Sequence, residues 1–350
     1  MNQSSNGMLC CVRGADGAPH LERRPIPVLK GPRDAIVRVT RAAICTSDLH
    51  ILRGAVPRAG SGIILGHEFA GVVEAVGEGV SGLAPGDRVA ANCESFCGQC
   101  WFCRRGWVNN CLHGGWMLGC VIDGCQAEYV RVPFADTALT RLPDGVTEED
   151  ALFVGDVLAS GYWSAGLCEI RPGDTVAVLG AGPVGLCAAM CAHHLGAGRV
   201  IVAEPDASRR ALCLREKLAD AAVPPEELCG AVHAFTEGRG ADSVIEAAGA
   251  NDSFQLAWQA ARPNAVVAVA AMYEEDQTLP LPRMYGKNLV FKTGGVDASQ
   301  CGLLVDLIAR CRLRTDFLIT HRAPLSRIEE GYRVFGSHQD GCIKWVVTAD

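Results

Sequence analysis

The chain has no run of about 18 or more apolar residues, so no membrane-spanning helix is expected. It has no block of like charge either, and its formal net charge is −7. That balance argues against a nucleic-acid partner, which calls for a basic face. The opening residues, MNQSSNGMLCCV, hold no basic stretch followed by an apolar core. No secretory leader is therefore expected, and the cytoplasm is the expected compartment. Internal repeats and low-complexity segments are also missing.

Cysteine, by contrast, is abundant: 18 in 350 residues. In a short secreted chain this would suggest a disulfide framework. In a long chain without a leader, reduced thiols and metal sites are the better reading. The length suits two domains. A hydrophobic share of 49% supplies two cores.

Residues 1–150 are rich in Gly, Pro and short β-branched runs, with strands expected at Ala35–Val39, Gly71–Val76 and Arg88–Ala91. The texture then changes. Ala151–Leu167 reads as one helix, with Glu148 and Glu149 at its start. Buried strands follow at Thr175–Leu179, Arg199–Ala203, Ser243–Glu246, Ala265–Ala270 and Asn288–Lys292, alternating with helices. Alternation of that kind implies a parallel sheet covered on both faces. A helix near 302–312 and a strand at Ile343–Val347 close the chain.

Cys97, Cys100, Cys103 and Cys111 follow a C-x2-C-x2-C-x7-C spacing. Short spacings let a tight turn aim thiolates at one point. Four thiolates make a closed tetrahedral zinc site, which is structural because no position remains for substrate. An iron–sulfur cluster is the alternative for cysteine-only ligation. Cys45, His67 and Asp156 are a second candidate ligand set. One thiolate, one imidazole and one carboxylate would leave a fourth position open, as a catalytic zinc needs.

Gly180-Ala181-Gly182-Pro183-Val184-Gly185 follows a strand and opens a helix. The glycines allow a tight turn, close approach to a pyrophosphate and close helix–strand packing, and the helix N-terminus faces the phosphates. Glu204 ends the next strand, where a carboxylate accepts the adenosine-ribose hydroxyls and repels a 2′-phosphate. NAD is expected on that ground. Arg209 and Arg210 keep NADP as the alternative.

Taken together, these motifs resemble the zinc-containing medium-chain dehydrogenase/reductase family, which includes alcohol, sorbitol, butanediol and threonine dehydrogenases. The resemblance runs through Gly66-His67-Glu68-Phe69-Ala70-Gly71-Val72-Val73, Pro85-Gly86-Asp87-Arg88-Val89, the cysteine lobe, the glycine loop and Gly238-Arg239-Gly240-Ala241-Asp242. It implies an α/β fold in two parts. A GroES-like, mostly-β catalytic domain would take 1–157 and 305–350, with a zinc lobe at 93–115. A doubly wound Rossmann domain would take 158–304.

By the same resemblance Cys45, His67 and Asp156 match catalytic zinc ligands, with Asp156 where many members carry Cys. Glu68 matches a carboxylate that either approaches the metal or only hydrogen-bonds near it. Asp48 matches an acid behind the ligands. Ser47 and His50 match a proton relay, although each can also be read as a turn former or a surface histidine. Thr46 stands where some members carry a phosphate-binding Arg. Ser160 and Val184 match residues near the nicotinamide, and Lys344 one near the pyrophosphate.

The implied reaction passes hydride between an alcohol or ketone and NAD(H), through a zinc-bound alkoxide and the Ser/His relay. Two zinc ions per chain are implied. A secondary alcohol is the expected substrate; a polyol or diol, of sorbitol or butanediol type, and NADP dependence are the alternatives. Trp101, Trp107, Trp116, Met117 and Leu49 are candidate pocket walls. The family offers homodimers and homotetramers, and the strand near Asn288–Lys292 could pair across subunits. A zinc-free reductase on the same scaffold would not need Cys45, His67, Asp156 and the four-cysteine lobe together, and a non-enzymatic NAD-binding protein would be expected to lose the relay or ligand residues. The remaining cysteines are read as small buried hydrophobes.

Overall fold

The computed structural model describes residues 7–337 and 339–349; part of the opening stretch MNQSSNGMLCCV lies outside them. Two compact units are present. One holds the described residues up to Asp156 and those from Asp297 onward, and the other is Val157–Val296.

In the first unit β1 (Met8–Arg13) and β2 (Pro19–Arg24) form an antiparallel pair. A larger sheet is built from β3 (Ala35–Ala43), β4 (Glu68–Val76), β5 (Arg88–Ala91), β6 (Tyr129–Val132) and β7 (Leu139–Arg141). Strands β3 and β4 form its centre, and every pairing among these five is antiparallel. Val37, Val39, Phe69, Val73 and Val89 point inward to one core.

The second unit supplies β8 (Thr175–Leu179), β9 (Arg199–Ala203), β10 (Ala221–Val223), β11 (Ala241–Glu246), β12 (Ala261–Val269) and β13 (Val290–Thr293). They lie in the order β10-β9-β8-β11-β12-β13, all parallel. Every residue of β8 is buried. Such unbroken burial means both faces are covered, as expected of a doubly wound sheet. The chain then returns to the first unit, where β14 (Ile319–Pro324) and β15 (Lys344–Thr348) extend the sheet beside β3.

The structure differs from the sequence expectation in two places that matter for the site. The helix expected over Ala151–Leu167 is broken: Glu148–Ala151 and Val157–Leu167 are helical, and the residues between them turn. The break follows from a close approach. A Cβ at Gly155 would sit 1.8 Å from Ala91 O, and Cys93 N–H donates to Gly155 O at 3.0 Å. The backbone is thus held against β5, and Asp156 is set by that contact. Secondly, the second unit ends at Val296, not at 304. Asn92 Nδ2 donates to Ala298 O at 2.9 Å and Cys301 Sγ to Val154 O at 3.6 Å, which ties 298–301 to the first unit.

Candidate active site

The short helix Thr46–Leu52 begins where β3 ends, and its N-cap is Cys45. Asp48, three residues on, accepts from Cys45 N–H at 2.9 Å and so fixes the cap. β4 begins at Glu68, with His67 just before it. The turn after Gly155 brings in Asp156. These three segments converge: Asp156 Oδ2 lies 3.2 Å from both Cys45 Sγ and His67 Nε2. One donor atom from each of the three residues falls within 4.8 Å of the others. Tetrahedral zinc with bonds of about 2.0–2.3 Å separates its donors by roughly 3.3–3.8 Å, so the cluster fits such an ion closely.

The surroundings support that fit. Ser47 Oγ is 3.1 Å from both Cys45 Sγ and His67 Nε2. His67 Nδ1 faces Asp48 Oδ1 at 3.5 Å, the arrangement by which an acid orients a ligand imidazole. Asp48 is buried, and its other oxygen accepts from Gln126 Nε2 at 3.0 Å; Gln126 Oε1 in turn accepts from Tyr332 Oη at 2.7 Å. Gln126 and Tyr332 escaped the sequence reading. They meet across 206 positions, and no local pattern announces such a pair.

Charge in this cluster is dense. Burial is the largest influence on every group. For Asp48 it prevails and raises the carboxyl. For Cys45 burial and the Asp156 carboxylate both raise the thiol. For His67 burial is outweighed by Asp156, Asp48 and Cys45, which hold the imidazole well above its ordinary value. Asp156 is held low, because His67 and Lys344 outweigh its burial. Glu68 is pushed up to about 8 by burial, against the pull of Lys344.

Lys344 opens β15. It is 0% exposed. Its Nζ is paired with Glu68 and donates to Ile44 O at 3.1 Å. A sealed ammonium with those partners holds the Glu68 carboxyl beside Cys45 and Asp156. Glu68 Oε1 remains buried without a partner.

In the cysteine lobe, Cys100 Sγ lies 3.4 Å and Cys97 Sγ 4.0 Å from Cys103 Sγ. Cys97 N–H donates to Cys111 Sγ at 3.2 Å and Cys100 N–H to Cys97 Sγ at 3.3 Å. Amides aimed at sulfur favour thiolate. At Cys100, the N–H groups of Cys103 and Leu112 bring the thiol down to about 6. Trp101 and Trp107 are 52% and 51% exposed and lean on each other over the lobe, with Arg105 on Trp101, so they wall no pocket around Cys45. Trp116 does reach the cluster, edge-on to His67 at 5.5 Å. Leu49 belongs to the core of the first unit. Among the cysteines expected to be buried, Cys311 is exposed and Cys229 half-buried; the others are buried.

In the second unit the glycine loop joins β8 to the helix Pro183–His194. A Cβ at Gly185 would lie 1.9 Å from Gly180 O, so the turn closes only with glycine there. Gly182 is the N-cap and supplies no side-chain oxygen; the first-turn amides, Val184 and Gly185 among them, suit a ligand's phosphate. Glu204 ends β9. Its Oε2 accepts from Ala181 N–H at 2.7 Å and its Oε1 from Asp206 N–H at 3.0 Å. Each oxygen keeps a lone pair for a ribose hydroxyl. Arg210 turns back onto Glu204 O and Pro205 O, both at 2.7 Å. Ser160 lies in the helix Val157–Leu167.

Residues 31–144 match the family described as "Alcohol dehydrogenase GroES-like domain" and residues 183–307 the one described as "Zinc-binding dehydrogenase". An alcohol dehydrogenase of Cupriavidus necator is 34% identical over 358 aligned positions, covering 94% of this chain and 95% of that protein. The chain belongs to the zinc-containing medium-chain dehydrogenase/reductase family. Within that family the NADP-dependent isopropanol dehydrogenase of Thermoanaerobacter brockii is 33% identical, with 93% of this chain and 95% of that protein covered. The solved alcohol dehydrogenase of Thermus sp. ATN1 superimposes with a TM-score of 0.90 at 34% identity, over 98% of this chain and 100% of that one. The GroES-like and Rossmann folds of the family are those described above, and its members support an oxidoreductase acting on alcohols. Among the described residues no helix is long and apolar enough to cross a membrane.

Proposed function

We propose that this chain transfers hydride between a secondary alcohol, or its ketone, and NAD(H). Cys45, His67 and Asp156 would hold a catalytic zinc, and Cys97, Cys100, Cys103 and Cys111 a structural one. The unit containing both ligand sets would be catalytic, and the glycine-loop unit would bind the cofactor. The convergence of a thiol, an imidazole and a carboxylate beside Ser47 carries this reading. Four thiols leave no open position, whereas three mixed ligands do. When bound, zinc supplies Lewis acidity, which eases loss of the alcohol proton and polarises the carbonyl in reverse.

The chain's own residues do the rest. Ser47 Oγ stands beside the ligand atoms and takes the hydroxyl proton. His50, one helical turn further along Thr46–Leu52 and half-buried, receives it and passes it on to solvent. Asp48 holds the His67 ring, and Lys344 holds Glu68. Gly180, Gly182, Pro183, Val184 and Gly185 cradle the pyrophosphate, with Ser160 and Val184 toward the nicotinamide.

Glu204 favours NAD, since a buried carboxylate repels a 2′-phosphate. NADP is the second reading. The T. brockii relative uses it by name, and Arg209 and Arg210 supply cations. That relative also acts by name on isopropanol, which supports a secondary alcohol here. An exposed Val290 on edge strand β13 supports a homo-oligomer paired along that strand.

The test is cofactor absorbance with a panel of secondary alcohols and both nicotinamides, before and after chelation. Reduction of NAD that stops on chelation and returns with zinc is expected. Turnover indifferent to chelation, in enzyme shown to be metal-free, would overturn the reading.

A further inference from the structure

We propose that Glu246 is a positioning residue for the cofactor site: by holding the connection that follows β11, it sets the shape of the glycine loop and so the affinity for the dinucleotide. The inference rests on the cofactor-binding reading above and names a residue that acts on that site through the backbone.

Glu246 is the last residue of β11 and is 0% exposed. One of its oxygens gathers three donors. Ala248 N–H and Gly249 N–H each donate to Oε1 at 2.9 Å, and the Ser253 hydroxyl donates to it at 2.7 Å. The other oxygen, Oε2, is buried with no hydrogen-bond partner among the described residues. Buried polar atoms are ordinarily satisfied, and a stranded one is costly. An apolar residue would fill the strand without that cost, as Val244 and Ile245 do just before it. The carboxyl is therefore accounted for by the three donors it holds, and not by the strand it ends.

Those donors fix a connection at the ligand end of the sheet. β11 lies between β8 and β12, and in doubly wound sheets ligands bind beyond the carboxyl ends of the strands. There residues 247–250 lead from β11 into the helix Asn251–Ala260. Two amides of the connection turn back onto Glu246, and Ser253 ties the start of the helix to the same oxygen.

The connection is packed directly on the glycine loop. Ala247 N–H donates to Leu179 O at 2.9 Å, one residue before Gly180. A Cβ at Gly180 would lie 3.0 Å from the Cα of Ala248, so the two backbones meet with no side chain between them. On its other side the connection meets the residues after β12: a Cβ at Gly249 would lie 3.0 Å from Met272 O, and Ala270 N–H donates to Glu246 O at 2.8 Å. Three neighbouring connections thus bear on one carboxyl-bearing residue. In a close-packed interior a shift of residues 247–249 is passed to Gly180, and from there to the loop whose amides face the phosphates.

The test is calorimetric titration of the full zinc-loaded chain with NADH and with NADPH, in wild type, Glu246→Ala, Glu246→Asp and Glu246→Gln. Glu246→Ala strands the three donors. It should weaken binding of the preferred dinucleotide by about ten-fold or more, since a misplacement of about 1 Å can cost on the order of a hundred-fold. Glu246→Asp keeps the charge but is one methylene shorter, and should fall with Glu246→Ala. Glu246→Gln keeps an acceptor oxygen at full reach and should stay close to wild type. An unfolded fraction lowers the binding stoichiometry and leaves the dissociation constant unmoved, so a merely structural role would not give this pattern. In turnover, the KM for the dinucleotide should rise in Glu246→Ala by more than the KM for the alcohol.

Equal dissociation constants in wild type and Glu246→Ala, or a loss in Glu246→Gln as large as in Glu246→Ala, would overturn the proposal. Should wild type bind a dinucleotide and oxidise no alcohol, the dehydrogenase reading fails alone, and the dissociation constants of the variants still decide. Should wild type bind neither dinucleotide, the cofactor reading fails and the proposal falls with it.

Discussion

Gln126 donates a 3.0 Å hydrogen bond to Asp48 where both side chains are 0% exposed. Asp48 in turn faces His67 Nδ1, so the bond reaches the imidazole of a proposed zinc ligand through one intermediary. Losing such a partner behind a ligand typically weakens metal affinity by about 10–100-fold. Gln126→Leu should therefore release the zinc at Cys45–His67–Asp156 faster to a chromogenic chelator while retaining the lobe zinc. Tyr332→Phe, one step further out, should have a smaller effect and cost about 1 kcal/mol of stability. Equal release rates in wild type and Gln126→Leu would contradict this.

The cysteine lobe should behave independently. Cys103→Ser replaces the thiol that lies near both Cys97 and Cys100. Metal analysis should show one zinc lost, with a melting temperature several degrees lower and proteolytic nicking confined to 97–111. The catalytic set should keep its ion. Retention of both ions would mean that these thiols do not form the site.

Much of this was legible in the sequence because the relevant spacings are local. The four-cysteine pattern and the glycine loop each lie in one short segment whose turn chemistry is set by its own residues. The single helix expected over Ala151–Leu167 went wrong for a tertiary reason: Gly155 is pressed against Ala91, and no periodicity within the segment reports that contact. The pairing of Lys344 with Glu68 is likewise beyond any local pattern, because 276 positions separate them.

Cofactor choice turns on Glu204. Glu204→Ala removes the carboxylate that meets Ala181 N–H and that would repel a 2′-phosphate. The kcat/KM ratio of NADP to NAD should rise by roughly ten-fold or more, since like charge at a buried contact is costly. Initial rates with both cofactors check this. An unchanged ratio would transfer the choice to Arg209 and Arg210.

A link within the first unit should give stability an acid edge. Glu149 accepts from Arg322 Nη2 at 2.9 Å and Arg41 Nε at 3.2 Å, and the Arg322 bond first, then Arg41, hold its carboxyl below the ordinary 4.5. A depressed carboxyl stabilises the fold above its unfolded value and loses that contribution as pH falls through its folded value. Wild type should thus exceed Glu149→Gln in stability at pH 7 by a modest amount, since Arg322 is half exposed. The gap should close once the pH falls well below 4.5. Urea denaturation across that range is the measurement; a gap independent of pH would contradict it.

The central claim, a reactive zinc at Cys45, His67 and Asp156, is tested most directly by counting metal in purified Asp156→Ala beside wild type. Two zinc ions per chain are expected in wild type and one in the variant, with alcohol-dependent NAD reduction lost alongside the missing ion. Two ions and full activity in Asp156→Ala would contradict the assignment.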